Sequence, residues 1–298
     1  MTHRRISFFM TLFYLFSRIV PRFLNPFFTS LGNPIVFLCL KGYREAVKEN
    51  IRMIGKGTFP EKKVSNLAKN CFKQYSLKLL DYMAMERLTL EKRTKWIESE
   101  IGEDYLKRAL EKGKGVICVT PHLGNWELGG YILAQKGYPI HILTLKEESP
   151  FLSRYEKRLR ERAGIRTIVM DPLERPNLTI LEIVKILRRN EVVAIVSDRV
   201  YNGQGVKVNF FDRPTLFPEG PIHLALETGA EVIPVFVILN QRNKYVGIID
   251  EPIPIRMDRD KNEAIKLGAQ EMAKRFETMI QKYPDQWLNF FPFWKEER

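Results

Sequence analysis

The chain has 298 residues, with 48 Lys and Arg against 35 Asp and Glu, a net charge of +13. At 45% hydrophobic and 28% charged residues its composition is globular and excludes a disordered chain, and its length is enough for one α/β domain with an N-terminal appendage. So large a positive excess predicts acidic partners: nucleic acid, an anionic membrane face or an acidic carrier protein.

The sequence holds no helix-turn-helix, zinc-finger or RNP pattern, which counts against nucleic acid. Cys39, Cys71 and Cys118 are widely spaced in apolar or mixed segments. They read as reduced packing residues, not as a disulfide framework or a metal site.

At the N-terminus, Thr2-His-Arg-Arg5 precedes an aromatic-rich apolar run from Ile6 to Val20, which Arg18 interrupts and Pro21 follows. The run is short for a bilayer span of about 20 residues. A basic start before an apolar stretch also describes a secretory signal, but no small-residue cleavage site follows, only Arg22-Phe-Leu-Asn-Pro-Phe-Phe28. We expect a retained hydrophobic membrane anchor over residues 1–40, lying in the interface or spanning with strain. An ordinary buried helix is the alternative.

Residues 41–298 read as an α/β domain with a helical lead-in. Tyr43 to Ile54 is amphipathic and basic, Gly55 to Pro60 breaks the pattern, and Lys63 to Tyr82 resumes it with Leu67, Cys71, Tyr75 and Leu79 on one side. Leu88 to Lys114 is charge-rich and mixed, with a short helix around Tyr105 to Glu111. Strands are predicted at Gly115–Val119, Ile140–Thr144, Arg166–Met170, Val192–Ser197, Val206–Phe211, Glu231–Leu239 and Tyr245–Ile249. Helices are predicted over Pro150–Arg162, Leu178–Arg189, Pro218–Thr228 and Asn262–Lys282, before an aromatic tail, Tyr283 to Trp294. This alternation argues for a mixed, largely parallel central sheet flanked by helices. The tail suits core packing or a membrane-interface belt equally well.

The first predicted strand ends abruptly in Thr120-Pro-His122-Leu-Gly-Asn-Trp-Glu127. Pro121 blocks ladder pairing, which puts His122 just past the strand's carboxyl end, where open α/β sheets hold ligands. The His-to-Glu offset of five does not stack side chains on one helix face, so a turn must intervene. Gly124 permits it, and Asn125 suits a helix N-cap. A carboxylate beside an imidazole raises its basicity and fixes its tautomer, so the pair suits a general base acting on a hydroxyl. A lone surface histidine followed by an ordinary first-turn glutamate is the competing reading.

Other constellations are thinner. Asp198, with Ser197 and Arg199, ends a buried Val-Val-Ala-Ile-Val run and either shapes a site or caps a loop. Arg154 either binds an oxyanion or is one of many solvated bases on its helix. Asn202-Gly-Gln-Gly205 precedes a strand, not a helix, and reads as a turn. His141 and His223 lack ligand spacing to each other or to His122, and no H-E-x-x-H occurs, so we expect no metal.

Thr120-Pro-His122-Leu-Gly-Asn-Trp-Glu127, Arg154, Ser197-Asp198-Arg199, Phe210-Phe211-Asp-Arg-Pro214, Leu224 to Pro234 and Pro284-Asp-Gln-Trp287 resemble, in this order and over nearly the whole chain, the bacterial lipid A late (lauroyl/myristoyl) acyltransferases. That group includes the mycobacterial phosphatidylinositol mannoside acyltransferases and is more distantly similar to glycerolipid acyltransferases. The resemblance implies a glycerolipid-acyltransferase-like fold and direct acyl transfer from a thioester of acyl carrier protein or coenzyme A, without an acyl-enzyme and without a resident cofactor. It implies that His122 is the base and Glu127 its partner, with Arg154 and Asp198 as catalytic neighbours that stabilise the oxyanion and shape the site. It also implies Asn125 and Arg199 as substrate contacts. One departure is Asp212, where the family often has glycine.

The implied acceptor is a glycolipid, lipid A or its precursor first, and the implied place is the cytoplasmic (inner) membrane with the catalytic part facing the cytoplasm. A glycosylated phosphoinositide, a glycerolipid or an aminolipid is the alternative acceptor. A non-catalytic membrane-binding module is the alternative from another class.

Overall fold

The computed structural model describes residues 14, 16–17, 19–85, 94–145, 150–171, 176–201 and 203–294, the side chains of 150–155 and 176 excepted. Most of the Ile6–Val20 run and the Thr2–Arg5 start lie outside the described residues. Helical periodicity dominates up to residue 85 and yields α1 (Asn25–Cys39), α2 (Lys41–Ile54) and α3 (Glu61–Met85). These helices, His122–Gly124 and Glu277–Arg298 form one compact unit; Thr94–Pro121 with Asn125–Phe276 forms a second.

In the first unit, α2 buries Ala46, Val47, Asn50, Ile51 and Ile54, a helical stripe with one polar member, and stops at Gly55. α1 is arranged the other way round. Its buried residues are Asn25, Thr29, Asn33 and Phe37, spaced by four along one face, whereas Phe27, Leu31, Ile35 and Leu38 are exposed. The polar stripe meets α3, where Ser76 Oγ donates to Asn33 Oδ1 at 3.0 Å and Phe37 packs edge-on against Phe72. Arg22, in a 3-10 turn before α1, forks onto both Asp81 oxygens at 2.9 and 2.8 Å.

The tail belongs to this unit. After a 3-10 turn at Pro284–Gln286, Trp287 and Leu288 are buried, Trp287 stacks edge-on with Phe293 and Trp294, and Phe290 does the same with Phe72 and Tyr75. For Trp287 and Leu288, core packing is therefore the outcome.

The second unit is built on β1 (Ile97–Ile101), α4 (Glu103–Glu111), β2 (Val116–Thr120), α5 (Trp126–Gln135), β3 (Ile140–Leu145), α6 (Pro150–Arg162), β4 (Arg166–Met170), α7 (Pro176–Arg188) and β5 (Val192–Val196). A hairpin of β6 (Val206–Phe210) and β7 (Arg213–Phe217), then α8 (Gly220–Thr228), β8 (Glu231–Leu239), β9 (Tyr245–Ile249) and α9 (Lys261–Lys282) follow, the part of α9 from Glu277 onward being grouped with the first unit. Seven strands make one sheet in the order β1-β9-β8-β2-β5-β3-β4. All its pairings are parallel except β8 with β9, so β8, β2, β5, β3 and β4 bring their carboxyl ends to a single edge. The core of the sheet is β2, buried at every position because helices cover both faces of a parallel sheet.

Two strands were not expected. β1, Ile97-Glu-Ser-Glu-Ile, is an edge strand almost wholly exposed, so its place in the sheet comes from backbone pairing with β9 and leaves no apolar signal. β7 begins Arg213-Pro214 and is paired only with β6. Phe211 and Asp212 between them have φ of 54° and 61°, which suits a two-residue hairpin turn with both central residues left-handed. Asp212 therefore stands where the backbone favours glycine.

Candidate active site

In the second unit, the site begins with the fit of β2. Gly115, at φ 73°, has carbonyl oxygens of Leu187 and Glu191 at 2.6 and 2.9 Å from where a Cβ would stand, so no larger residue can start this strand unshifted. At the other end, the Ser197 N–H donates to the Thr120 carbonyl at 2.8 Å, which ties the exits of β2 and β5 together. Ser197 and Asp198 are fully buried there, and Arg199 is half-buried.

After the turn, Asn125 caps α5 as its sequence suggests: Leu128 N–H donates to Asn125 Oδ1 at 3.3 Å. Its own N–H donates to the Val237 carbonyl at 2.8 Å and its Nδ2 to Tyr245 Oη at 3.1 Å, so β8 and β9 hold the start of α5. Two residues on, Glu127 is buried and receives a bidentate fork from Arg160 of α6, at 2.6 Å from Nη2 and 3.1 Å from Nε. Arg160 is itself 4% exposed. Such a paired geometry fixes a carboxylate's plane as well as its position.

In the first unit, His122 is half-buried and its backbone is clamped by the tail. Leu288 N–H donates to the His122 carbonyl at 2.7 Å, Gly124 N–H donates to the Gln286 carbonyl at 2.9 Å, and Leu123 forms an antiparallel bridge with Trp287. Gly124, at φ 64°, makes the turn the five-residue offset required. A half-buried histidine whose main chain is fixed is suited to taking and returning a proton.

The Arg154 side chain lies outside the described residues. Sequence reasoning missed Arg160, the arginine that grips Glu127. Its one cue was its place directly after Leu159, itself buried, within Lys157-Arg-Leu-Arg-Glu-Arg162.

His141 meets Glu191 at 2.6 Å, and Arg189 pairs with the same carboxylate, at the amino ends of β3 and β5 away from the edge that carries Asp198. Asn202 lies outside the described residues; Gly203 is in a turn, with Gln204 N–H donating to the Tyr201 carbonyl at 3.1 Å. Cys71 and Cys118 are buried, and burial pushes both thiols up, that of Cys118 to about 12, as packing residues require. Cys39 departs from that expectation, for it is exposed. Among the described residues, no group of three His, Cys, Asp or Glu side chains could hold a metal ion.

The second unit is an open, largely parallel α/β sheet with a buried aspartate, Asp198, just past the carboxyl end of β5. The chain belongs to the bacterial lipid A biosynthesis acyltransferase family, whose description matches residues 1–296. It is also 29% identical over 191 residues to a phosphatidylinositol mannoside acyltransferase of Mycolicibacterium smegmatis, covering 64% of this chain and 60% of that one. It is 31% identical over 195 residues to the protein of the same name from Mycobacterium tuberculosis strain H37Rv, covering 65% and 58%. The match thus spans about three-fifths of the length of these relatives.

Proposed function

We propose that this protein is a membrane-associated acyltransferase that moves a fatty acyl group from an acyl thioester to a hydroxyl of a glycolipid. The observation that carries the reading is His122, one residue beyond Pro121 at the carboxyl end of β2, with its main chain pinned on both sides. His122 takes the acceptor hydroxyl's proton as that oxygen attacks the thioester carbonyl carbon. The C–O bond forms, the tetrahedral oxyanion collapses, and the C–S bond breaks, the thiol leaving with the proton that His122 returns.

Glu127 balances the imidazolium charge and selects its tautomer. Arg160 keeps the Glu127 carboxylate in one orientation. Arg154 supplies positive charge for the oxyanion, Asp198 shapes the pocket and Arg199 contacts substrate. Asn125, with both ends of its amide engaged, contributes by holding the start of α5. The thioester of acyl carrier protein or coenzyme A is a co-substrate, and no resident cofactor or metal enters this reading.

Lipid A or its precursor is the first acceptor, since the family description names lipid A biosynthesis. A mannosylated phosphatidylinositol is the second, favoured by the names of the mycobacterial relatives. Residues 1–40 act as the anchor at the cytoplasmic membrane, with residues 41–298 on its cytoplasmic side.

Support for the anchor comes from α1, whose apolar residues face outward and whose polar stripe faces α3. At 15 residues α1 is about 22 Å long, too short for a hydrocarbon core of about 30 Å. Among the described residues no single helix is long and apolar enough to cross a membrane, and the pair Arg22–Cys39 and Lys41–Ile54 is bent by 100°. An interfacial helix fits these lengths best.

The test is purified protein with acyl-carrier-protein and coenzyme A thioesters against a panel of lipid A precursors, mannosylated phosphoinositides, glycerolipids and aminolipids, read by mass spectrometry. An ester on a glycolipid hydroxyl is the expected product. Acylation of none of the glycolipids with either donor would refute the proposal.

A further inference from the structure

Asn50 is the one polar member of the buried stripe of α2, and it is 2% exposed. Its amide is spent on the main chain of the aromatic tail. Nδ2 donates to the Asn289 carbonyl at 3.0 Å and to the Phe291 carbonyl at 2.8 Å, and Oδ1 accepts from the Phe293 N–H at 3.0 Å. One side chain thus fixes three backbone groups in a segment without regular structure, a job no apolar residue at this position could do. The segment just before it, Gln286 to Leu288, is what clamps the histidine turn, through Leu288 N–H to His122 and Gly124 N–H to Gln286. Cys71 of α3 adds a thiol contact to the Trp287 carbonyl at 3.5 Å.

We infer that Asn50 is a positioning residue for His122: by holding residues 289–293 it sets the register of residues 286–288, and these set the backbone of His122 and Gly124. This rests on the reading of His122 as the base. Asn50 touches neither substrate nor the imidazole in this account. Its effect passes through one continuous strip of tail that is neither α-helix nor strand. A displacement of the base on the order of 1 Å costs up to about 100-fold in rate, whereas thioester binding made elsewhere is unaffected.

The test pairs kinetics with hydrogen exchange on the full chain. Asn50→Asp keeps size and the acceptor for Phe293 but removes both donors; Asn50→Thr keeps one donor and serves if the first variant does not fold. With a fatty acyl-coenzyme A and a glycolipid acceptor that the parental protein acylates, the expected result is a fall in kcat of about 10- to 100-fold with KM for the thioester unchanged. It should be accompanied by faster amide exchange in peptides covering residues 122–124 and 286–293, and by unchanged exchange in β2 and β5.

Unchanged exchange at 122–124, or faster exchange there with parental kcat, overturns the inference. The function reading fails separately, if His122→Ala keeps parental turnover; in that event the exchange measurement alone still decides whether Asn50 holds the histidine turn.

Discussion

Glu127 and Arg160 show why one residue's environment decides its role. The fork between them is buried, and removing Arg160 leaves the Glu127 carboxylate without the guanidinium that grips it, a cost of about 3–5 kcal/mol for such pairs. Arg160→Ala should therefore lower stability in denaturant by an amount in that range and also depress turnover, with Arg160→Lys intermediate because an ammonium restores charge but not the fork. Parental stability and turnover in Arg160→Ala would contradict the role given to the pair. Asp285 makes a pH-dependent case in the tail. Burial raises its carboxyl above the ordinary range, against a hydrogen bond from Asn70 that lowers it. A raised folded value means that the native state holds its proton longer than the unfolded chain does, so the contribution is complete below the usual carboxylate range and is lost as pH rises through the folded value. Asp285→Asn should gain on the parental protein as pH goes from about 4 to about 7, and a Tm difference that does not grow over that interval would overturn the assignment. The end of β2, the turn at Gly124 and the Asn125 cap were legible in the sequence because a proline, a glycine and a cap residue leave marks in residue order. Arg160 was not, since the six residues from 157 to 162 include four bases and one acid, and composition does not say which base is buried.

Elements were readable wherever burial imposes periodicity. β8 has the bounds expected, Glu231–Leu239, and α6 has its own, Pro150–Arg162, because apolar runs and helix ends mark both. β1 and β7 escaped notice because an edge strand is held by backbone pairing and a hairpin by turn geometry, neither of which needs apolar side chains. α1 inverts the usual rule, and its exposed Phe27, Leu31 and Ile35 give the membrane reading its test. Each such side chain contributes about 1.5–3 kcal/mol when fully buried in an apolar phase. Replacing all three by serine should leave the fold intact and reduce binding to vesicles containing anionic lipid by more than tenfold in a sedimentation assay. Equal binding by the variant would show that α1 does not insert.

Across the whole molecule, the +13 charge is the dominant feature. So large a positive excess attracts acidic partners, and such attraction weakens with added salt. The order of motifs was visible along the chain and agrees with membership of the family over residues 1–296. What residue order did not disclose is the division into two units, with His122–Gly124 grouped with the N-terminal helices and the C-terminal tail. Three residues in the middle of the chain carry no sequence mark of a partner more than 160 positions away, because the clamp is made by backbone groups that every residue possesses. The central claim is that His122 is the base for acyl transfer. Its most direct test is thioester-dependent acylation by purified His122→Ala, alongside far-UV circular dichroism and vesicle binding. The account predicts that turnover falls by at least about 100-fold while fold and membrane binding persist; transfer at the parental rate would contradict it.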